Sequence, residues 1–316
     1  MHLDPTKTAF LFPGQGSQKV GMGKELSQTF KISQETFSEG DEILGFEISS
    51  MCWGGPEEHL NATINTQPAL LLHSVAVLRV LSEKYPDFRP AYVAGHSMGE
   101  FSALVAAQSI SFRDALILVR KRGELMKRSG ELTPGGMGAI LGLDIQTVEN
   151  ICVASSAPNE IVQVANDNCP GQVVISGDKV AIERAMPMAK ESGARKAVSL
   201  AVSIAAHSPL MASAQIEFSH SMKSTAISEP NIPIVGNVSA KPMNSIAEIH
   251  GDLEAQLTSR VRWSETIQYL AQQGISNFIE VGSGNVLSSL TKRIDPSATR
   301  ISLGNPEDFD KFAATL

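Results

Sequence analysis

Ser97 stands at the centre of Gly95-His96-Ser97-Met98-Gly99, where the strand-like run "AYVAG" gives way to the helix-like run "EFSALVAA". This pentapeptide fits G-x-S-x-G in the strand-turn-helix setting that makes a nucleophile elbow. Glycines on both flanks suit a sharp corner where neighbouring backbone comes close on each side. The helix that follows aims free N–H groups at the point where an oxyanion would form. Acyl transfer through a serine ester is the chemistry this implies, and a tight glycine turn with a capping serine is the competing reading.

A serine nucleophile needs a base. The seven histidines are His2, His59, His73, His96, His207, His220 and His250. His96 is set aside, because adjacent residues on an extended strand point to opposite sides. His207, in "VSIAAHSPLM", leads the others through its small-residue loop surroundings, with a structural histidine as the alternative. In "RDALILVRKRGELM", Leu118, Val119, Leu125 and Met126 lie three or four residues from Arg122, so the arginine falls on the apolar stripe and points inward. A buried guanidinium needs a carboxylate, and its planar fork fits one with two hydrogen bonds. That carboxylate belongs either to the protein, making a structural ion pair, or to a substrate whose acyl group carries a free acid. "GMGKEL" lacks the spacing of a P-loop and "GQGSQKVG" lacks the third glycine of a dinucleotide fingerprint, so neither supports nucleotide chemistry.

The elements that must position these residues read as α/β. "TAFLF" is a strand entering the loop "PGQGSQ", with a helix from near Val20. A helix over 68–83 precedes "AYVAG", and no uninterrupted apolar run reaches the ~18 residues of a membrane span. After Thr133-Pro134-Gly135-Gly136 the order becomes strand 137–143, helix 146–155, strand 161–165, strand 172–176, helix 180–192 and strand 194–200. This βαββαβ order is ferredoxin-like. The chain then returns to α/β alternation, with "IPIVGNVS", "NFIEVG" and "RISLG" as strands. The expected organisation is a discontinuous large domain, 1–132 and 202–316, around a small domain at 133–201. Parallel strands with helical crossovers place sites at the strands' carboxyl ends.

Composition bounds the rest. The chain has 316 residues, 42% hydrophobic and 19% charged, with a formal net charge of −7. That acidity argues against nucleic acid as the main partner. Cys52, Cys152 and Cys169 are widely spaced and odd in number, which points to a reducing compartment and away from a disulfide framework or zinc site. With no secretory leader visible, a cytoplasmic location is expected.

Taken in order, "LFPGQGSQKVGMG", "GHSMGEFSALVAA", "VRKRGELM", "NDNCPGQVVISG", "HSPLM", "VGNVSAKP" and "EVGSGNVLSSL" resemble the malonyl-CoA:acyl carrier protein transacylases of fatty acid synthesis and the related acyltransferase domains of polyketide synthases. The resemblance runs from about residue 8 to residue 304. It implies an α/β-hydrolase-like large domain with a ferredoxin-like insert. By resemblance Ser97 accepts the acyl group, His207 is the base, and Arg122 clamps the malonyl carboxylate. The N–H groups of Gln15 and Met98 would form the oxyanion hole, and the backbone carbonyl of Gln256 would orient His207. The resemblance also implies malonyl-CoA and an acyl carrier protein as partners, no cofactor or metal, no membrane, and a monomer. Ala206 before the histidine and Gly282-Ser283-Gly284 depart from the commoner family pattern, and the alanine leaves more room beside the acyl chain. A polyketide acyltransferase and a serine esterase are the alternatives. Lys190, Arg195, Lys196, Lys292 and Arg293 are candidates for docking an acidic carrier.

Overall fold

The computed structural model describes residues 3–200, 202 and 204–316; His2 and residue 201, the end of the expected small domain, lie outside them. Among the described residues, the ten strands are β1 (Thr8–Phe12), β2 (Tyr92–Gly95), β3 (Gly135–Leu141), β4 (Val162–Cys169), β5 (Gln172–Asp178), β6 (Lys196–Ser199), β7 (Ile234–Val235), β8 (Pro242–Met243), β9 (Asn277–Val281) and β10 (Thr299–Leu303). They make two sheets. One has the order β10-β9-β1-β2-β7-β8 and is parallel except for the β7–β8 pair. The other, β4-β5-β3-β6, is antiparallel throughout.

The five residues of β1 are all buried, as a central parallel strand covered on both faces requires. Phe10 and Phe12 enter one apolar cluster while Ala9 and Leu11 enter another, so alternate side chains feed opposite faces. A third cluster, with Ile140, Val173 and Ile175 at its centre, lies between the smaller sheet and its two helices. β2 and β9 flank β1 on opposite sides, so the chain reverses its order there and opens a crevice at the strands' carboxyl ends.

Several element boundaries differ from the sequence reading. The helix expected over 68–83 runs Thr63–Lys84, with Pro68 inside it. Proline cannot donate to the carbonyl of Ile64, and Arg120 Nη1 donates to that oxygen instead, at 3.1 Å. This helix of 22 residues holds no uninterrupted apolar run of ~18, yet with a mean hydropathy of 1.2 over its most apolar window it is long and apolar enough to cross a membrane by length and composition alone. Its most apolar window is 78% buried within the protein, as a core helix would be. The helix expected near Val20 starts at Lys24, because Gly21 and Gly23 have φ of 96° and 74°. "IPIVGNVS" contributes only two strand residues, since the chain turns at Gly236, whose N–H and C=O bond Lys241 and Ala240.

Candidate active site

The β2-to-helix corner carries Ser97, and its backbone is left-handed there, with φ 51°. L residues adopt that region at a cost and hold it only when the surroundings dictate it. The surroundings are tight. A Cβ on Gly95 would lie 2.0 Å from the backbone of Gly99, and one on Gly99 would lie 2.2 Å from the carbonyl oxygen of Phe12. A Cβ on Gly14 would meet the His96 carbonyl oxygen at 2.4 Å, so the "PGQG" loop after β1 rests on the same corner.

His207 reaches the corner from the chain that returns after the smaller sheet, also in the left-handed region, with φ 58°. Its Nε2 lies 2.8 Å from Ser97 Oγ. Its Nδ1 faces the carbonyl oxygens of Gln256 at 2.8 Å and Ser259 at 3.2 Å. Carbonyls only accept, so Nδ1 carries the proton and the Nε2 lone pair is left for the serine hydroxyl. Gln163 of β4 donates to the carbonyls of His207 and Thr258, tying the histidine loop to the smaller sheet.

Arg122, 1% exposed, lies in the helix Phe112–Leu132 and points into the same space. Its Nη2 donates to Ser97 Oγ at 3.1 Å and to Gln256 Oε1 at 2.9 Å, while Nη1 donates to Gln67 Oε1 at 2.8 Å. Its Nε is buried without a partner. Gly123 lets this helix close on the neighbouring one, since a Cβ there would lie 2.8 Å from Ile64 Cα.

The structure thus brings Ser97, His207, Arg122 and Gln256 into one hydrogen-bonded group. Among the described residues, no acceptor in the protein takes the N–H of Gln15 or of Met98. His96 Nε2 is 2.9 Å from Asn168 Oδ1 and its ring packs on Trp263, so this ring is engaged by β4 and by the start of the helix Trp263–Gln272. His73, 1% exposed, bonds the Gly304 carbonyl in the core.

Two residues that the sequence reading passed over complete the group. Asn237 accepts from the Ser97 N–H at 2.7 Å and donates to the Gly95 carbonyl at 2.8 Å. Its own N–H donates to Glu100 Oε1 at 3.1 Å. Glu100 is fully buried just after the corner, and its other oxygen accepts from Gln256 Nε2. Asn237 lies within "VGNVSAKP", but nothing in a lone asparagine predicts a partner 140 residues away. An acid amid the apolar residues of "EFSALVAA" was the available signal for Glu100.

Burial dominates the electrostatics. The His207 pKa falls from 6.5 to about 3, first through burial and then through the Arg122 charge. Burial lowers Arg122 to about 10, with Glu100 opposing. Burial and Asp252 push the Glu100 carboxyl up, while the Gln256 and Asn237 donors pull it back. A neutral imidazole, a hydroxyl bonded to it and a nearby fixed cation suit acyl transfer through an oxyester.

Residues 9–298 match the family model described as acyl transferase domain. The malonyl CoA-acyl carrier protein transacylase of Bacillus subtilis (strain 168) is 43% identical over 311 residues, covering 98% of each chain. The solved malonyl CoA-acyl carrier protein transacylase from Coxiella burnetii superposes with a TM-score of 0.95 at 40% identity, covering 99% of this chain and 98% of that one. A further solved structure, a type II PKS acyl-carrier protein in complex with its malonyl-transacylase, gives a TM-score of 0.93 at 39% identity, with 97% and 98% covered. Matched along nearly its whole length in sequence and in fold, the chain belongs to the acyl transferase family, and within it to the malonyl CoA-acyl carrier protein transacylases.

Proposed function

We propose that this protein transfers a malonyl group from CoA to the phosphopantetheine thiol of an acyl carrier protein in fatty acid biosynthesis, through a malonyl ester on Ser97. The observation that carries the reading is the convergence on Ser97 Oγ of His207 Nε2 at 2.8 Å and Arg122 Nη2 at 3.1 Å. A serine beside a base makes an acyl enzyme, and a buried cation in the acyl site selects an acyl group ending in a carboxylate.

In the first half-reaction Ser97 Oγ attacks the thioester carbonyl as its proton passes to His207 Nε2. The N–H groups of Gln15 and Met98 hold the oxyanion, and Arg122 holds the malonyl carboxylate. Collapse breaks the C–S bond, and His207 returns the proton to the CoA sulfur. In the second, the carrier thiol gives its proton to His207 and attacks the ester carbonyl. The C–O bond then breaks and the proton returns to Ser97 Oγ. The carbonyls of Gln256 and Ser259 keep the imidazole in the tautomer that both halves need. The chain supplies no cofactor in this scheme; the phosphopantetheine belongs to the carrier. Because one chain contributes every group, a monomer suffices.

The fold reading that accompanies this function is an α/β-hydrolase-like large domain, 1–132 and 202–316, with a ferredoxin-like small domain at 133–201. It is supported by the antiparallel order β4-β5-β3-β6 with helices Ile145–Ser155 and Lys179–Glu191 between its strands, and by the mainly parallel order of the other sheet. Three buried free cysteines suit a reducing, cytoplasmic setting.

Incubation with malonyl-CoA alone should add one malonyl group to the intact protein, seen by mass spectrometry, and Ser97→Ala should abolish it. An active preparation that stays unmodified would refute the acyl-enzyme route. Transfer from the loaded enzyme to fatty acid and polyketide carriers then separates the two carrier classes, and release only to water would indicate an esterase.

A further inference from the structure

Arg122 and Glu100 are 1% and 0% exposed, yet among the described residues neither belongs to a direct ion pair. An isolated buried charge of either sign is costly enough that a protein normally pairs it. The two are joined through one side chain. Gln256 accepts from Arg122 Nη2 on its oxygen at 2.9 Å and donates from its nitrogen to Glu100 Oε2. Its amide dipole therefore lies along the line from cation to anion. The other Glu100 oxygen accepts from the Asn237 N–H at 3.1 Å. Both oxygens thus receive N–H donors, the pattern of an ionised carboxylate, and these donors oppose the burial and the Asp252 charge that push this carboxyl up.

We infer that Glu100 is the remote counter-ion of Arg122, held one amide away by Gln256 so that the guanidinium stays compensated in the core while its fork remains open to a substrate carboxylate. This deepens, and rests on, the reading of Arg122 as the malonyl clamp. A carboxylate in direct contact would satisfy the fork and compete with the acyl group. With no acid nearby, the cation would stand unbalanced whenever the site is empty. The spacer meets both needs and fixes which way the Gln256 amide points. An amide at position 100 has only one oxygen, so either the Asn237 N–H or the Gln256 NH2 would face another NH2. If the new oxygen stays on Asn237, Gln256 can relieve the clash only by turning its own NH2 toward Arg122, another donor. Glu100 is accordingly a positioning and specificity-determining residue rather than a catalytic one.

The test moves the charge without removing it. Glu100→Gln should lower the melting temperature by roughly 5–10 °C, the scale of a broken buried pair. The double variant Glu100→Gln/Gln256→Glu puts the carboxylate directly against Arg122 and keeps an acceptor for the Asn237 N–H, at the loss only of the 3.2 Å bond that Gln256 Nε2 gives the Ser97 carbonyl. It should regain most of the lost melting temperature, yet its preference for malonyl-CoA over acetyl-CoA, read as the ratio of acylation rates on the intact protein, should fall by on the order of tenfold or more. If Glu100→Gln fails to fold, recovery of a folded double variant carries the same information. The inference is overturned if Glu100→Gln keeps both the melting temperature and the preference, or if the double variant is no more stable than the single one. It is also overturned if the double variant keeps the preference while Arg122→Ala loses it. An Arg122→Ala protein that still prefers malonyl-CoA would instead sink the clamp reading itself, and the inference with it.

Discussion

His207 sets the pH behaviour of the site. Burial and the Arg122 charge bring its pKa from 6.5 down to about 3, so the imidazole stays neutral through the range where an exposed histidine would protonate. The unfolded chain takes up a proton below 6.5 and the folded one does not. The stability that His207 contributes is therefore present above pH 6.5 and erodes as pH falls from there toward 3. For activity, kcat/KM for acylation reports the free enzyme, so its acid limb should lie below ~5. On the proposed role of Arg122, a bound malonyl carboxylate would offset its charge and remove one of the three lowering causes, leaving burial and His96. Single-turnover rates of the bound complex should then show an acid limb at higher pH than kcat/KM does. An acid limb of kcat/KM at the ordinary histidine value would contradict the lowering by burial and by the Arg122 charge, which the Gln256 and Ser259 carbonyls only partly oppose.

At the scale of elements, the corner is held by a strand that ends early. β7 pairs with β2 only at Val93↔Ile234 and Ala94↔Val235. Beyond that point the Asn237 side chain takes the place of strand backbone, bonding the Gly95 carbonyl and the Ser97 N–H from one amide. A side chain can follow backbone that has turned to φ 51°, whereas a regular ladder cannot. Asn237→Ala leaves both groups buried without a partner and should cost about 1–3 kcal/mol by chemical denaturation. It should also slow acylation of Ser97 while leaving the affinity for CoA unchanged. Asn237→Asp restores the acceptor but not the donor and should fall between the two. A denaturation midpoint and acylation rate equal to those of the unmodified protein would show that the amide holds nothing in place.

For the whole molecule, the question is how an acidic chain receives an acidic carrier. The five basic candidates, Lys190, Arg195, Lys196, Lys292 and Arg293, are all exposed, on β6, on the preceding loop and helix, and on the helix Val286–Ile294. Arg293 has a second task, donating to the Pro170 carbonyl at 2.6 Å and Gln172 Oε1 at 2.7 Å, which links the large sheet's helix layer to the β4–β5 turn. Arg195 lies close by, since Gly142 sits against Arg195 and near Gly171, which Arg293 also approaches. Docking is therefore better tested with Arg195→Glu and Lys292→Glu, which leave the bridge intact. Charge reversal there should raise KM for the carrier several-fold at low salt and leave the CoA half-reaction unchanged. An unaltered carrier KM at low salt would remove this face from consideration.

The local chemistry of this protein was written in its sequence. Ser97 between two glycines, Arg122 on an apolar stripe and the change of period after Gly136 are consequences of short-range spacing, which a chain carries before it folds. Boundaries that depended on a distant partner were not legible, as with Pro68, which stays inside its helix because Arg120 serves the carbonyl it leaves open. Nor was the acid that compensates Arg122. The sequence says that a buried guanidinium requires one, but only the packing of Gln256 between them identifies Glu100, 156 residues from that glutamine. Spacing along the chain determines which side chain points inward, and tertiary contact alone decides what meets it there, because burial makes every polar group depend on whichever partner the fold brings within bonding distance.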